Sequence, residues 1–276
     1  MDTAIPSSIS ISSLRAISGS ASSPFVIDVR RAQAFEGDTR MLAGATWRDP
    51  FATYAWIKFV PRQRDVVVYC VHGHEISKNA CVALRAAGVN AHYLEGGIEA
   101  WTENDAPTIK KQAAFCVPSS INLPSRWITR ERPKIDRVAC PWLIRRFIDP
   151  LAEFIYVPGA DVLSAAKSMA ATPYDIPDVQ FTHRGEECSF DAFIRDFEIN
   201  DPALNDLATI VRGADTGKPQ LTPQSPGLLA ISLGLSALYP NDHDMLEHGM
   251  VVYDALYAWL KRARAEVHNA DLFKKS

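Results

Sequence analysis

Two kinds of hydrophobic pattern divide the chain. From residue 1 to about 105, short apolar runs alternate with amphipathic stretches. Pro24–Val29 is a short run of the buried-strand type, and Asp65–Cys70 is a stronger one, built around three consecutive valines. Ala80, Cys81, Leu84 and Ala87 then recur at helical spacing. Gly88 stands where a glycine ends a helix, and Val89–Leu94 reads as the next strand. A Gly96-Gly97 turn leads into a short helix around Glu99, Ala100 and Trp101. Strand–helix–strand with short links predicts a parallel sheet covered on both faces by helices.

Residues 106–125 lose this periodicity. They carry Pro107, Pro118 and Pro124 with several Ser and Thr, and are read as a linker. From 126 onward the pattern is mostly helical. Helices are expected over 136–148, 161–171 (capped by Asp161), 189–197, 202–212, 226–238 and 242–264, with short strands at 153–157 and 179–182. Pro141 falls inside the first of these helices, which must either kink there or begin there. There is no internal repeat.

Composition narrows the class. The chain has 276 residues, 47% hydrophobic and 22% charged, with a net charge of −3. That excludes a disordered or collagen-like chain and argues against a protein that coats nucleic acid. No apolar stretch is long enough for a membrane helix, and the first twenty residues lack the features of a signal peptide. Five cysteines with no C-x-x-C pair argue against a disulfide scaffold or a zinc ribbon and suggest a reducing, cytoplasmic setting.

The most informative cysteine is Cys70, placed where a buried strand ends and a helix begins. In such a loop the backbone N–H groups and the positive end of the helix can hold an anion at the sulfur and favour the thiolate. Gly73 lets the loop curl back, and His72 and His74 can donate to a bound anion or move a proton. The alternative is a buried structural cysteine, the reading that suits Cys81 on its apolar helix face. The first ~105 residues resemble a rhodanese domain. The carrying pieces come in order: Val26-Ile27-Asp28-Val29-Arg30, Phe35-Glu36-Gly37 through Leu42-Ala43-Gly44-Ala45, the Cys70 loop, and Leu94-Glu95-Gly96-Gly97-Ile98-Glu99-Ala100-Trp101. The resemblance implies that Cys70 accepts a sulfane sulfur as a persulfide and passes it to a thiol acceptor. Asp28, His72, Gly73, His74 and Ser77 complete that candidate site. Where the family's loop usually carries Arg then Ser, this chain has Glu75 and Ile76, with Ser77 following. Loss of that Arg disfavours thiosulfate as donor, and also a phosphatase reaction.

In the second half, residues 126–149 hold seven basic and three acidic residues. Arg130, Arg137, Arg145 and Arg146 are therefore candidates for an oxyanion site, against the alternative of solvated or ion-paired arginines. Near the last helix, His243 and Glu247 lie one turn apart and face the same way. With His183 they form a candidate metal site suited to zinc, iron or manganese; ordinary dipole and hydrogen-bonding roles are the alternative. Residues 126–265 resemble the C-terminal domain of bacterial chromate-resistance proteins. The resemblance rests on Trp127–Arg130, Asp136–Asp149, Phe181-Thr182-His183, Ile210–Asp215, Gly227–Ser236 and Tyr253–Leu260. It implies a physiological context rather than a reaction.

Together these readings predict an α/β chain. A rhodanese-like parallel sheet flanked by helices (1–105) is followed by a linker (106–125) and a mostly helical domain with a few short strands (126–276). The first functional expectation is a cytoplasmic sulfurtransferase linked to chromate resistance, working with a small sulfur donor, a thiol acceptor and an oxyanion such as chromate. The alternatives are a non-catalytic oxyanion or redox sensor, and a metal-dependent activity of the second half. A homo-oligomer is compatible with either; a membrane or nucleic-acid partner is not expected.

Overall fold

The computed structural model describes residues 6–112, 115 and 124–266. Half of the segment expected to be a linker, 113–114 and 116–123, lies outside these residues.

The first half is built on a five-stranded parallel sheet in the order β1–β6–β5–β2–β4. Its strands are β1 (Ser8–Ile9), β2 (Phe25–Asp28), β4 (Ala45–Trp47), β5 (Val66–Tyr69) and β6 (Ala91–Leu94), and β3 (Arg40–Leu42) stands outside it. Around them lie α1 (Ile11–Ile17), α2 (Ala32–Gly37), α3 (Thr53–Trp56), α4 (Glu75–Ala86) and α5 (Gly97–Glu103). The expected strands, helices and parallel connections are present. Helix α4 begins at Glu75, five residues before the first residue of its apolar periodicity, Ala80, and Gly88 follows its C-cap with φ +80°.

Strand geometry explains why β2 and β5 are apolar at every position but one. Alternate side chains point to opposite faces. Phe25, Ile27, Val66, Val68 and Cys70 pack with Trp56, Ala80, Cys81 and Leu84 on one side of the sheet. Val26, Val67, Tyr69 and Leu94 point to the other, with Leu14, Ile98 and Trp101. The α4 side is a closed local core. The other side continues without a break into the second half, to Trp127, Trp142, Phe147, Phe190 and Tyr257.

Backbone contacts confirm that the halves are joined. Gly44 N–H donates to Phe147 O at 2.6 Å, and Lys110 N–H donates to Phe197 O at 2.7 Å. The start of the expected linker is itself structured: β7 (Thr108–Lys110) pairs antiparallel with β3. The sequence reads as a linker here because three residues of strand after Pro107 carry too short a pattern to register.

The second half centres on a three-stranded parallel sheet, β10 (Thr172–Pro173), β8 (Arg126–Arg130) and β9 (Glu153–Val157), in the order β10–β8–β9. Strand β8 hides in the sequence because Arg126 and Arg130, both exposed, flank only three buried residues. The helix Asp136–Leu143 runs through Pro141 and widens into a π turn over Ile144–Ile148. Pro141 has no N–H to donate to the preceding turn, so the helix continues without that bond. Helices Val162–Met169, Ser189–Asp196, Pro202–Asp215, Ser225–Leu238 and Asp242–Ala258 follow, the last ending in a π turn at Trp259–Ala263. Two expectations are corrected. Asp161 makes no side-chain cap to the helix it precedes. Residues 179–182 form no strand; Phe181 makes a single bridge to Tyr174, in a segment bent by positive-φ Asp178 and by Gly185. Among the described residues no helix is long and apolar enough to cross a membrane.

Candidate functional site

Cys70 follows β5 directly, and its side chain is buried in the α4-side core. Its Sγ lies 3.3 Å from Ser77 Oγ in the first part of α4. Ser77 Oγ also donates to His74 O at 3.1 Å. A hydroxyl has one proton to give. While it is given to His74, the thiol donates to Ser77; once the sulfur is a thiolate, the same hydroxyl can turn to it. Lys78 N–H closes the first turn of α4 onto His74 O at 3.1 Å. The amides of residues 75–77 therefore have no intrahelical acceptor.

The loop is held from below by the second glycine motif. Cys70 O accepts from Ile98 N–H at 3.0 Å and Val71 O from Glu99 N–H at 3.2 Å. This approach needs glycines on both sides. Gly97 has φ +61°, and a Cβ there would sit 2.4 Å from the carbonyl oxygens of Cys70 and Val71. Gly73 has φ +69°, and a Cβ would meet Leu94 O at 2.5 Å and Gly96 N at 2.7 Å. The two sequence motifs are thus one structural unit. His72 and His74 are exposed, with ring centroids 5.7 Å apart, and His72 Nδ1 pairs with Glu99 Oε2 at 2.7 Å. Glu75 is exposed at the first position of α4.

Asp28 does not join this loop. It is fully buried, bonded by Arg30 Nη2 at 2.7 Å and Nε at 2.9 Å, and by Tyr69 OH at 2.8 Å. Arg30 continues to Asp38 at 2.6 Å and to Arg40 O at 3.0 Å. Burial opposes the charge on Arg30, but its bonds to Asp28 and Asp38 outweigh this and raise its pKa. The group ties β2, β5 and the start of β3 together.

The candidate metal and oxyanion residues of the second half fall into separate places. Glu247 accepts from Arg145 Nη1 at 2.6 Å, and His243 packs edge-on against Tyr156 with centroids 5.5 Å apart. Neither joins His183 in the group of ligating side chains brought together among the described residues. The i, i+4 spacing chose the right helix face, but that face meets an arginine. Arg146 makes a two-point pair with Asp254 at 2.9 and 2.8 Å. With Arg145 and Arg146 neutralised, the four arginines do not form one oxyanion site; Arg130 and Arg137 instead turn towards Asp175 at 3.3 and 3.4 Å.

His183 stands among carboxylates the sequence did not single out. Its Nε2 lies 3.2 Å from Asp215, 3.5 Å from Asp175 and 3.6 Å from Asp136. Asp136 opens its helix, Asp215 closes the helix Pro202–Asp215, and Asp175 lies in the bend after β10. Asp136 is buried; one oxygen accepts from Ser189 N–H at 2.6 Å, and the other, Oδ1, has no partner. Burial, then the charges of Asp215 and Asp175, push the Asp136 carboxyl up. Contacts with Asp175, then Asp215, push the His183 imidazole up to about 10. Cys188 and Cys140 are buried beside this group. Burial and then the Asp136 charge push both thiols up.

Comparison with known proteins assigns both halves. Residues 10–104 match the model of the rhodanese-like domain, and residues 127–260 match that of the C-terminal domain of ChrB. The chain joins a rhodanese-like domain to a ChrB C-terminal domain. Protein ChrB of Cupriavidus metallidurans is 34% identical over 140 residues, which is 50% of this chain and 42% of that protein. The chain thus spans under half the length of this curated relative. A crystallised rhodanese-related protein from Thermoplasma volcanium is 27% identical and covers 38% of this chain and 99% of its own, with a TM-score of 0.34. A rhodanese-like domain protein from Staphylococcus aureus is 21% identical, covering 34% of this chain and 90% of its own, with a TM-score of 0.31. Cys70 lies within the rhodanese-like match; the His183 group lies within the ChrB match.

Proposed function

We propose that this chain is a persulfide-forming sulfurtransferase acting in chromate resistance, with Cys70 as the sulfur carrier. The observation that carries the reading is the placement of Cys70 Sγ at the end of a buried strand, with Ser77 Oγ at 3.3 Å and unused helix-start amides next in the chain. The thiolate attacks the outer sulfur of a donor R–S–SH. An S–S bond forms at Sγ as the donor's S–S bond breaks, and the leaving thiolate takes up a proton. An acceptor thiolate then attacks the outer sulfur of the Cys70 persulfide, which restores the Cys70 thiolate. No net oxidation occurs across the cycle.

Ser77 steadies the thiolate, and the imidazoles of His72 and His74 at the loop supply the proton to the leaving group. Glu75, exposed where the family's loop usually has Arg, repels a dianion. The donor on this reading is a thiol persulfide rather than thiosulfate. The ChrB domain, packed on the other face of the same sheet, supplies the link to chromate. The reading is tested by the intact mass of the protein after incubation with glutathione persulfide. Wild type should gain one sulfur, about 32 Da, and Cys70→Ser none. No gain in wild type, or an equal gain in Cys70→Ser, would overturn it.

A further inference from the structure

The group around His183 differs from the close two-partner ion pairs among the described residues. In those, two charged groups meet at hydrogen-bond distance: Arg146 with Asp254 at 2.8 Å, Arg184 with Asp196 at 2.6 Å, His72 with Glu99 at 2.7 Å. Here one imidazole nitrogen faces three carboxylates at 3.2, 3.5 and 3.6 Å, all longer than a charge-assisted hydrogen bond. One N–H can point at only one of them. The ligand atoms of Asp136, Asp175 and His183 all lie within 4.8 Å of one another. Ligands about 2.1 Å from a shared ion sit about 3.0 Å apart at octahedral right angles and about 3.4 Å apart at tetrahedral ones. The observed spacings match side chains arranged around a common point better than side chains bonded to each other.

A second observation is independent of these distances. Asp136 is 1% exposed, and its Oδ1 has no hydrogen-bond partner. Its other oxygen is fixed by the Ser189 amide and is the one that faces His183. A buried carboxylate oxygen without a partner is costly unless something absent from the bare chain satisfies it.

We propose that Asp136, Asp175 and His183, with Asp215 at the rim, bind one divalent transition-metal ion. Three carboxylates and one imidazole form a mixed, borderline-hard donor set, which suits Mn(II), Fe(II) or Zn(II) rather than Cu(I). The ligands come from the start of one helix, the end of another, the bend after β10 and the turn segment that holds His183, so the ion ties four separate segments together. The site opens to solvent at His183, whose side chain is 42% exposed, so the ion has an entry path and room for water. Arg130 and Arg137 at Asp175 offset part of the acidic charge on the protein side.

The test uses the full chain, stripped with EDTA and titrated with Mn(II) or Zn(II) chloride, with bound metal read by elemental analysis and titration calorimetry. Wild type should bind one ion per chain. His183→Ala, at a half-exposed position that leaves the core intact, should weaken binding by at least tenfold, on the order of what even an outer partner of a metal ligand contributes. Asp136→Asn should do the same, with circular dichroism confirming its fold. His243→Ala with Glu247→Ala should leave the stoichiometry unchanged. With Mn(II) bound, electron spin-echo spectra should show a coupled imidazole nitrogen in wild type and lose it in His183→Ala. Absence of stoichiometric binding by either metal, or binding undiminished in His183→Ala, would overturn the proposal.

Discussion

Cys70 and Cys188 invite comparison because they share so much. Both are buried, and both lie just before a helix: Cys70 five residues ahead of α4, Cys188 at the N-cap of Ser189–Asp196. Helix position alone would give both sulfurs the same character. Their neighbours differ. Cys188 lies beside Asp136 and Asp191, and burial together with those charges holds its thiol neutral. Beside Cys70 stands the Ser77 hydroxyl, in a loop whose carbonyls are engaged by α5 amides rather than turned onto the sulfur. A helix start prepares a thiol for chemistry only where no carboxylate shares the space. Where carboxylates crowd in, as at Cys188, the thiol is held neutral, and it is beside that position that the metal site is proposed.

The comparison can be broken most sharply at Asp28. If it belonged to the sulfur chemistry, as the sequence suggested, replacing it would silence Cys70 without harming the fold. The structure predicts the reverse. Asp28→Ala takes from buried Arg30 its fully buried carboxylate partner and leaves only Asp38 and the Arg40 carbonyl, and should cost about 3–5 kcal/mol in denaturant unfolding. The fraction that remains folded should still load sulfur. Next in size is Gly97→Ala. A methyl group aimed at two carbonyl oxygens, at a positive φ, should destabilise the rhodanese-like half by roughly 1–3 kcal/mol and slow sulfur loading at Cys70. Urea melts and loading rates on the same sample check both effects.

Ser77→Ala sharpens the comparison without disturbing the scaffold. Loss of one hydrogen bond worth about 1 kcal/mol should slow loading by about five- to tenfold. An unchanged rate would remove Ser77 from the mechanism. The smallest effect is expected at Glu247. Its pair with Arg145 is largely exposed, so Glu247→Ala should change stability by less than about 1 kcal/mol.

The loop and the acidic cluster were unequally legible in the sequence, for a physical reason. The Cys70 loop is local: strand, turn and helix follow in the chain, and Val66–Val68, Gly73 and the helical spacing of Ala80, Cys81 and Leu84 each report on the same unit. Its partner Gly96-Gly97 was visible as a turn, although nothing local says that it supports Cys70. The acidic cluster draws on four distant segments. Asp136 only marks the start of an expected helix, Asp215 lies just past the expected end of another at 212, and Asp175 falls in a stretch with no expected element. His183 was singled out but given the wrong companions, because i, i+4 spacing reports which residues share a helix face and not what that face meets. Asp136, His183 and Asp215 do fall within the stretches that resemble chromate-resistance proteins, and that shared origin was the available signal. Strand β8 was missed for the opposite reason, its charged ends outweighing a three-residue buried centre.

The central claim is that sulfur chemistry resides at one cysteine of five, and the most direct measurement locates the sulfur. Native protein loaded with a thiol persulfide, alkylated and digested, should carry the extra sulfur on the peptide containing Cys70, with Cys140 and Cys188 unmodified until the protein is unfolded. Sulfur recovered on Cys188 or Cys140 of the folded protein, or on any cysteine in preference to Cys70, would contradict the account.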